Sequence, residues 1–168
     1  SCVPLANDFC SSAEYITDGT WNLLTLGALT DSVPYNDAQC SGTFLGEMNA
    51  DVWFSYIACE NGSMTVSTCN LINFDSDIVV YEGTCDNMTQ VACNGDGDGC
   101  DGYSSSTTFN VTGGAQYLIR VGGWGSDSEG NGSISVDGPG NGCDVDPAVV
   151  IEYPNGQPNL VDPNGGTV

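Results

Sequence analysis

The side chains in this sequence with types and spacing suited to chemistry are mostly carboxylates, and the densest group is CNGDGDGCDG, Cys93 to Gly102. Asp96, Asp98 and Asp101 stand there on a glycine-rich loop, where the backbone can fold several oxygens around one hard cation. Set against an EF-hand loop, Asn94, Asp96 and Asp98 take the first, third and fifth positions and Gly99 the sixth. The closing bidentate Glu is then replaced by Ser105, and no helical pattern flanks the segment, so the EF-hand is excluded. Two readings stay open. One is a looser loop site for Ca2+ that also draws on Asp75 and Asp77 of FDSD; the other is a solvated acidic turn held by Cys93 and Cys100.

Nothing else assembles a reaction. With no histidine and a single Lys or Arg, which is Arg120, the usual bases for a Ser or Cys nucleophile are missing. Paired carboxylates hydrolyse glycosides, but 22 acidic residues make such pairs inevitable by chance, and no enzyme activity is expected. Arg120, in YLIRVGG, is expected to form a structural ion pair or to cover apolar surface with its stem. Trp21, Trp53 and Trp124 would make a sugar-binding platform if exposed. Trp53 sits within a strand pattern and reads as core, whereas Trp124, in VGGWGSD, fits either role.

The net charge of −21 excludes binding to a nucleic-acid backbone, because nothing neutralises phosphates. An anionic membrane surface is equally unwelcome, and no segment reaches the roughly 18 apolar residues of a membrane span. The chain opens Ser-Cys with no initiator Met or signal-like apolar run, which reads as a mature, processed or partial form. Nine cysteines without histidine or paired CxxC knuckles argue for disulfides in an oxidising compartment, so a secreted or cell-surface protein is expected. Cys59–Cys69 and Cys85–Cys93 are short-range pairs that would each brace a hairpin, and Cys2 is the candidate for the odd thiol. Sequons at Asn61, Asn87, Asn110 and Asn131 are surface candidates for glycosylation.

The elements that must position these residues are strands. Glycine is abundant at 23, no long window shows helical periodicity, and only Ser11 to Tyr15 suggests a helical turn. Eight segments alternate or run apolar between turn residues: 21–26, 51–57, 63–69, 76–83, 89–94, 106–112, 116–123 and 132–138. Asn61-Gly62, a strong hairpin dipeptide, precedes the third. Short strands at this spacing predict an all-β, disulfide-braced, jelly-roll-like β-sandwich over residues 1–143, with an extended C-terminal tail over 144–168. In the tail, Val149, Ile151 and Tyr153 alternate on one face and Leu160 and Val161 follow, punctuated by Pro154, Pro158 and Pro163.

Several motifs occur in a familiar order: ANDFCSSAEYITDG, DVWFSYIA, TVSTC, FDSDIVVYEGTC, VACNGD, VTGGAQYLIRVGGW and GNGSISV. Over about Ala6 to Val136 they resemble the cysteine-rich variety of the secreted bacterial pre-peptidase C-terminal domains. That resemblance implies a jelly-roll sandwich, an extracellular setting and a non-catalytic accessory role. It also implies calcium in acidic loops for some relatives, and a tail like the junction between consecutive domains.

Three functions compete: a structural subunit, an accessory module of a larger secreted hydrolase or protease binding calcium or carbohydrate, and a binding domain acting alone. The tail discriminates among them: its strand either folds back onto its own sandwich, as in a solitary domain, or pairs with a neighbouring copy, which favours the first. With Val150, the tail residues named above make six apolar side chains, each of which would forgo about 1.5–3 kcal/mol if left in water. A strand donated to the sheet edge of another copy buries them and propagates head to tail into a filament. The expected partners are therefore other copies of the chain, through Val149, Ile151, Tyr153, Leu160 and Val161.

Overall fold

The structure, a computed structural model, describes residues 5–140. The boundary expected at Cys143, the tail residues named above and Cys2 lie outside them. The described residues form an all-β sandwich. The strands are β1 (Glu14–Tyr15), β2 (Gly19–Leu24), β3 (Asn49–Ile57), β4 (Gly62–Ser67), β5 (Ser76–Thr84), β6 (Asn87–Asn94), β7 (Ser106–Val111), β8 (Gln116–Gly123) and β9 (Asn131–Asp137). One sheet has the order β1-β3-β8-β5-β6 and the other β2-β9-β4-β7. Only β1, paired to β3, runs parallel to its neighbour. All eight expected strands are present; β1 is the addition. The expected helical turn is a short 3-10 segment at Cys10–Ser12 that leads into β1.

Between the sheets, Val52, Phe54 and Tyr56 of β3, Ile78 and Val80 of β5, and Tyr117, Ile119 and Val121 of β8 meet Leu23, Met64, Val66, Ile134 and Val136. In β4 the period of two is plain: Met64 and Val66 are buried and their neighbours are not. β3, β5 and β8 break that pattern because both their faces are covered. Their outward residues Trp53, Val79, Tyr81 and Leu118 form a second apolar cluster. Its lid is the long connection of residues 25–48, which lays Val33, Tyr35 and Leu45 against it. A connection this long in a compact domain is usually functional.

That strap is pinned by the one cation. Arg120 donates from Nε to Asp51 Oδ2 at 2.8 Å and from Nη2 to Asp51 Oδ1 at 3.2 Å. Its Nη1 and Nη2 also donate to the strap carbonyls of Val33 and Asp31, at 2.8 and 2.6 Å. Asp51 Oδ1 in turn accepts from Asp31 N at 2.6 Å. The guanidinium lies 5.5 Å from the ring centroid of Trp53 and 5.8 Å from that of Tyr35, adding cation–π attraction. The structural ion pair expected of Arg120 is therefore present, and it is buried: Arg120 and Asp51 are 1% and 0% exposed.

The disulfides differ from the expected pairs. Cys10 bonds Cys85, Cys40 bonds Cys93 and Cys69 bonds Cys100; Cys59 is disulfide-bonded as well. Cys85 and Cys93 cannot brace the β5–β6 hairpin, since Cys85 sits at its turn and Cys93 lies opposite Val79. Cys59 and Cys69 flank β4, whose extended length of roughly 20 Å far exceeds the span of a disulfide. The bonds instead tie loops to the sheet, two of them anchoring segments around the second cluster. Asn61-Gly62 is likewise no hairpin turn. It carries the chain from β3 in one sheet to β4 in the other, with Asn61 Oδ1 accepting from Gly113 N at 2.8 Å. The dipeptide specifies a tight reversal but not which sheet receives the next strand.

Candidate functional site

Where β5 begins and β6 and β8 end, four segments converge: residues 43–47 of the strap, Asp75, the loop after β6, and Trp124. A buried hydroxyl network holds two of them, the Asp75 segment and the loop after β6, in register. Ser105 Oγ lies within hydrogen-bond reach of the carbonyls of Asn94 (3.0 Å), Gly95 (2.6 Å) and Ser76, among which its single proton is shared, while Thr68 Oγ1 and Ser76 Oγ lie 2.8 Å apart. Ser76 follows Asp75 and Gly95 precedes Asp96 in sequence, so these bonds fix Asp75 and Asp96 relative to each other. The Cys69–Cys100 disulfide closes the same loop from below.

The strap joins this frame through two glycines. Gly95 N donates to Thr43 Oγ1 at 3.1 Å, and a Cβ on Gly95 would fall 2.4 Å from the Thr43 carbonyl oxygen. A Cβ on Gly46 would fall 2.1 Å from the Trp124 carbonyl oxygen. Gly46 is held on both sides of its backbone: its N–H donates to Asp77 Oδ2 at 2.9 Å, and its carbonyl accepts from the Tyr35 hydroxyl at 2.6 Å. Glu47 N donates to the Trp124 carbonyl at 2.8 Å, and Trp124 N to that of Asp75 at 3.1 Å.

The result is a cavity of about 450 Å³ lined by Phe44, Asp75, Asp96, Tyr103 and Trp124. That volume suits a small ligand. Its aromatic residues point to solvent: Phe44 is 70% exposed, Tyr103 65% and Trp124 51%. Each leaves unrealised about 1.5–3 kcal/mol of burial. Phe44 and Tyr103 also hold left-handed backbone, at φ 57° and 59°, unusual for bulky residues and a mark of functional loops. A second cavity on the other side of Trp124 is lined by Glu47, Asp127 and Ser128 among others.

The carboxylates are unusual too. Burial pushes Asp75 up to about 6, with Asp96 adding repulsion. Burial pushes Asp77 up to about 7, opposed by the Gly46 and Met48 amides and reinforced by Asp75 and Asp96. Asp96 is raised by burial. Asp75 Oδ1 and Asp77 Oδ1 are buried without a hydrogen-bond partner, a costly state that a donor or cation would relieve.

Of the five proposed metal ligands, Asp75 and Asp96 thus share one cavity with Asp77 buried beside them. Asp98 and Asp101 are exposed on the following turn. Among the described residues no group of three or more His, Cys, Asp or Glu side chains is placed to hold a metal ion. As placed, these side chains fall short of the six to eight oxygens of a calcium site. The three tryptophans do not form a platform. Trp53 is core, Trp21 is half-buried with Nε1 donating to Thr17 O at 2.8 Å, and Trp124 alone reaches the cavity. Sequence reasoning missed Phe44 and Tyr103; their only signal was an aromatic among breakers, in SGTFLG and CDGYSS. Asn61, Asn87, Asn110 and Asn131 are all exposed.

Residues 6–136 match the model of a family described as galactose binding domain-like and associated with T9SS, the type IX secretion system. The chain belongs to this family. The shared ground with the resemblance seen in the motifs is a secreted bacterial β-sandwich; the matching family is not the pre-peptidase C-terminal one. The secretion association and the disulfides go with an extracellular or secreted protein. Among the described residues no helix is long and apolar enough to cross a membrane. No curated protein matches the chain. Among solved structures, an exo-β-1,3-galactanase from Phanerochaete chrysosporium in complex with β-1,3-galactotriose is similar over 72% of this chain and 26% of that one. The identity is 17% and the TM-score 0.30, a likeness too loose to carry fold or function, and the chain spans about a quarter of that enzyme.

Proposed function

We propose that this chain is a non-catalytic carbohydrate-binding module, accessory to a larger secreted protein, and that the Phe44–Tyr103–Trp124 cavity is its binding site. The carrying observation is three exposed aromatic side chains that line one cavity with the carboxylates of Asp75 and Asp96. The apolar face of a pyranose stacks on such rings, and its hydroxyls donate to the carboxylates. Membership of a galactose binding domain-like family supports the same reading. Sugar hydroxyls would donate to the Asp75 and Asp96 carboxylates that line the cavity, so binding and site architecture are matched in kind.

Galacto-oligosaccharide titrated into the full chain by calorimetry is expected to bind saturably. Trp124→Ala is expected to weaken binding by at least about tenfold while leaving the unfolding midpoint within a few degrees, since half the ring is already in water. Binding unchanged in that variant moves the site elsewhere.

Calcium at Asp75, Asp77 and Asp96 is a further proposal, resting on the two unpartnered oxygens. Assembly of copies by donated tails is a second reading of the whole chain, supported by one observation. Among the described residues β7 ends its sheet with a single strand neighbour, leaving an edge for an added strand. Sedimentation of the full chain against a truncation after Cys143 separates the two: tail-mediated assembly gives concentration-dependent growth that truncation abolishes.

A further inference from the structure

The polar groups around the cavity are almost all of one kind. Asp75 and Asp96 line it, Asp77 lies against both, and Glu47 and Asp127 line the neighbouring cavity across Trp124. The chain's one cation is spent elsewhere, since Arg120 is 1% exposed and its donors are taken by Asp51, Asp31 and Val33. The site therefore holds acceptors and negative charge with no cation to balance them. Asp77 is fully buried behind the lining and acts on a ligand only through its field, so the acceptors within reach are the carboxylates of Asp75 and Asp96. A ligand that fits must bring donors, and a positive charge fits better than neutral hydroxyls.

Three exposed aromatic faces complete that chemistry. Phe44, Tyr103 and Trp124 share the cavity with the two carboxylates, and aromatic faces attract an ammonium group through the ring quadrupole. Calcium on these carboxylates, the further proposal above, would use neither the aromatic walls nor a volume of about 450 Å³, and among the described residues no group of three or more acidic side chains is placed around it. Uronic-acid or sulfated glycans meet only repulsion. A sugar carrying a free amine uses every feature: its ring stacks, its ammonium supplies three donors, and its charge neutralises the carboxylates.

We propose that the Phe44–Tyr103–Trp124 cavity, with Asp75 and Asp96, selects glycans bearing free amines, that is, oligomers of hexosamine rather than of neutral or N-acetylated sugars. The inference rests on the carbohydrate-binding reading above and names the substrate class of that same site.

The test titrates the full chain, by calorimetry and tryptophan fluorescence at moderate salt, with a glucosamine trimer, its N-acetylated counterpart, a galactose trimer and calcium chloride. The glucosamine trimer is expected to bind about tenfold or more tightly than the N-acetylated one, since only the former carries the charge that the cavity lacks. A chain of charge −21 attracts any cation, so charge-matched variants separate site from surface. Asp96→Asn is expected to bring the ratio close to one, whereas Glu82→Gln, an equal charge change on the exposed end of β5, leaves it intact. Equal affinity for the N-acetylated or galactose trimer overturns the inference and leaves the carbohydrate reading standing. A preference that survives Asp96→Asn also overturns it, as does calcium that saturates the fluorescence change and blocks the glucosamine trimer. Failure of all three trimers to bind saturably sinks the carbohydrate reading itself.

Discussion

Arg120→Met is expected to lower the free energy of unfolding by about 3–5 kcal/mol, with a fall in melting temperature on the order of 10 °C. The loss has little to do with the shape of the side chain, which methionine approximates. It arises because Asp51, 0% exposed, is left as a buried carboxylate without its partner, and because the carbonyls of Val33 and Asp31 lose their donors. Asp51→Leu alone should cost a similar amount by stranding the guanidinium. Combining the two removes both charges and should recover part of the loss, because an apolar pair of similar volume avoids the desolvation of ions. Recovery is incomplete, since the Asp31 amide and the two strap carbonyls still lack partners. Urea denaturation of the three variants measures this; a double variant as unstable as the sum of the singles rules out the ion-pair account. Because Arg120 pins the strap that carries Phe44 and Gly46, both single variants should also weaken ligand binding although neither residue lines the cavity.

Stability is expected to fall as pH rises through roughly 4 to 7, and Asp77 is the residue to which most of that slope is assigned. Its carboxyl titrates at the ordinary 3.8 when unfolded and at about 7 when folded. Between those values the folded state binds the extra proton, so unfolding releases it and is favoured by higher pH. The stability is thus fully present below about 4 and is lost as pH climbs past 7. The difference for one group of this kind is on the order of a few kcal/mol. Asp75, raised to about 6, contributes in the same direction, as does the general repulsion of a chain of charge −21. Only the difference between wild type and Asp77→Asn isolates the residue. Asparagine keeps an oxygen for the Gly46 amide and never ionises. The variant should match wild type near pH 4 and be clearly more stable near pH 8. Parallel stability profiles for the two proteins would contradict the assignment.

The two effects are linked through the same segment. Residues 25–48 cover the outward face of β3, β8 and β5, and their end forms one wall of the cavity. Arg120 holds the strap by its middle and Asp77 by its end, at the Gly46 amide. A ligand that neutralises the floor of the cavity should therefore also stabilise the fold at neutral pH, since bound-state and folded-state energies are coupled.

Periodicity and turn residues alone predict eight strands within two or three residues of where they lie, because alternation and glycine breaks are local properties of the chain. The sequence also reads Trp53 as core and Arg120, its one cation, as a structural ion pair, and it singles out Asp75, Asp77, Asp96, Asp98 and Asp101, of which only Asp75 and Asp96 line the cavity. The two-residue β1 was illegible, since Glu14-Tyr15 becomes a strand only by lying beside Phe54 and Ser55. The cysteine pairs were misread because spacing along the chain reports hairpins, whereas here the bonds span 75, 53 and 31 residues. Asn61-Gly62 states that the chain reverses, and only the packed sheets decide that it reverses into the opposite layer. In DVWFSYI, Val52, Phe54 and Tyr56 alternate with Trp53, Ser55 and Ile57, which marks a strand but does not show that a loop covers its second face. The cavity is the furthest from sequence: Phe44, Asp75, Tyr103 and Trp124 lie on four separate connections. Strand order and a buried hydroxyl network bring them together, and contact between loops distant along the chain is a property of the folded sandwich alone.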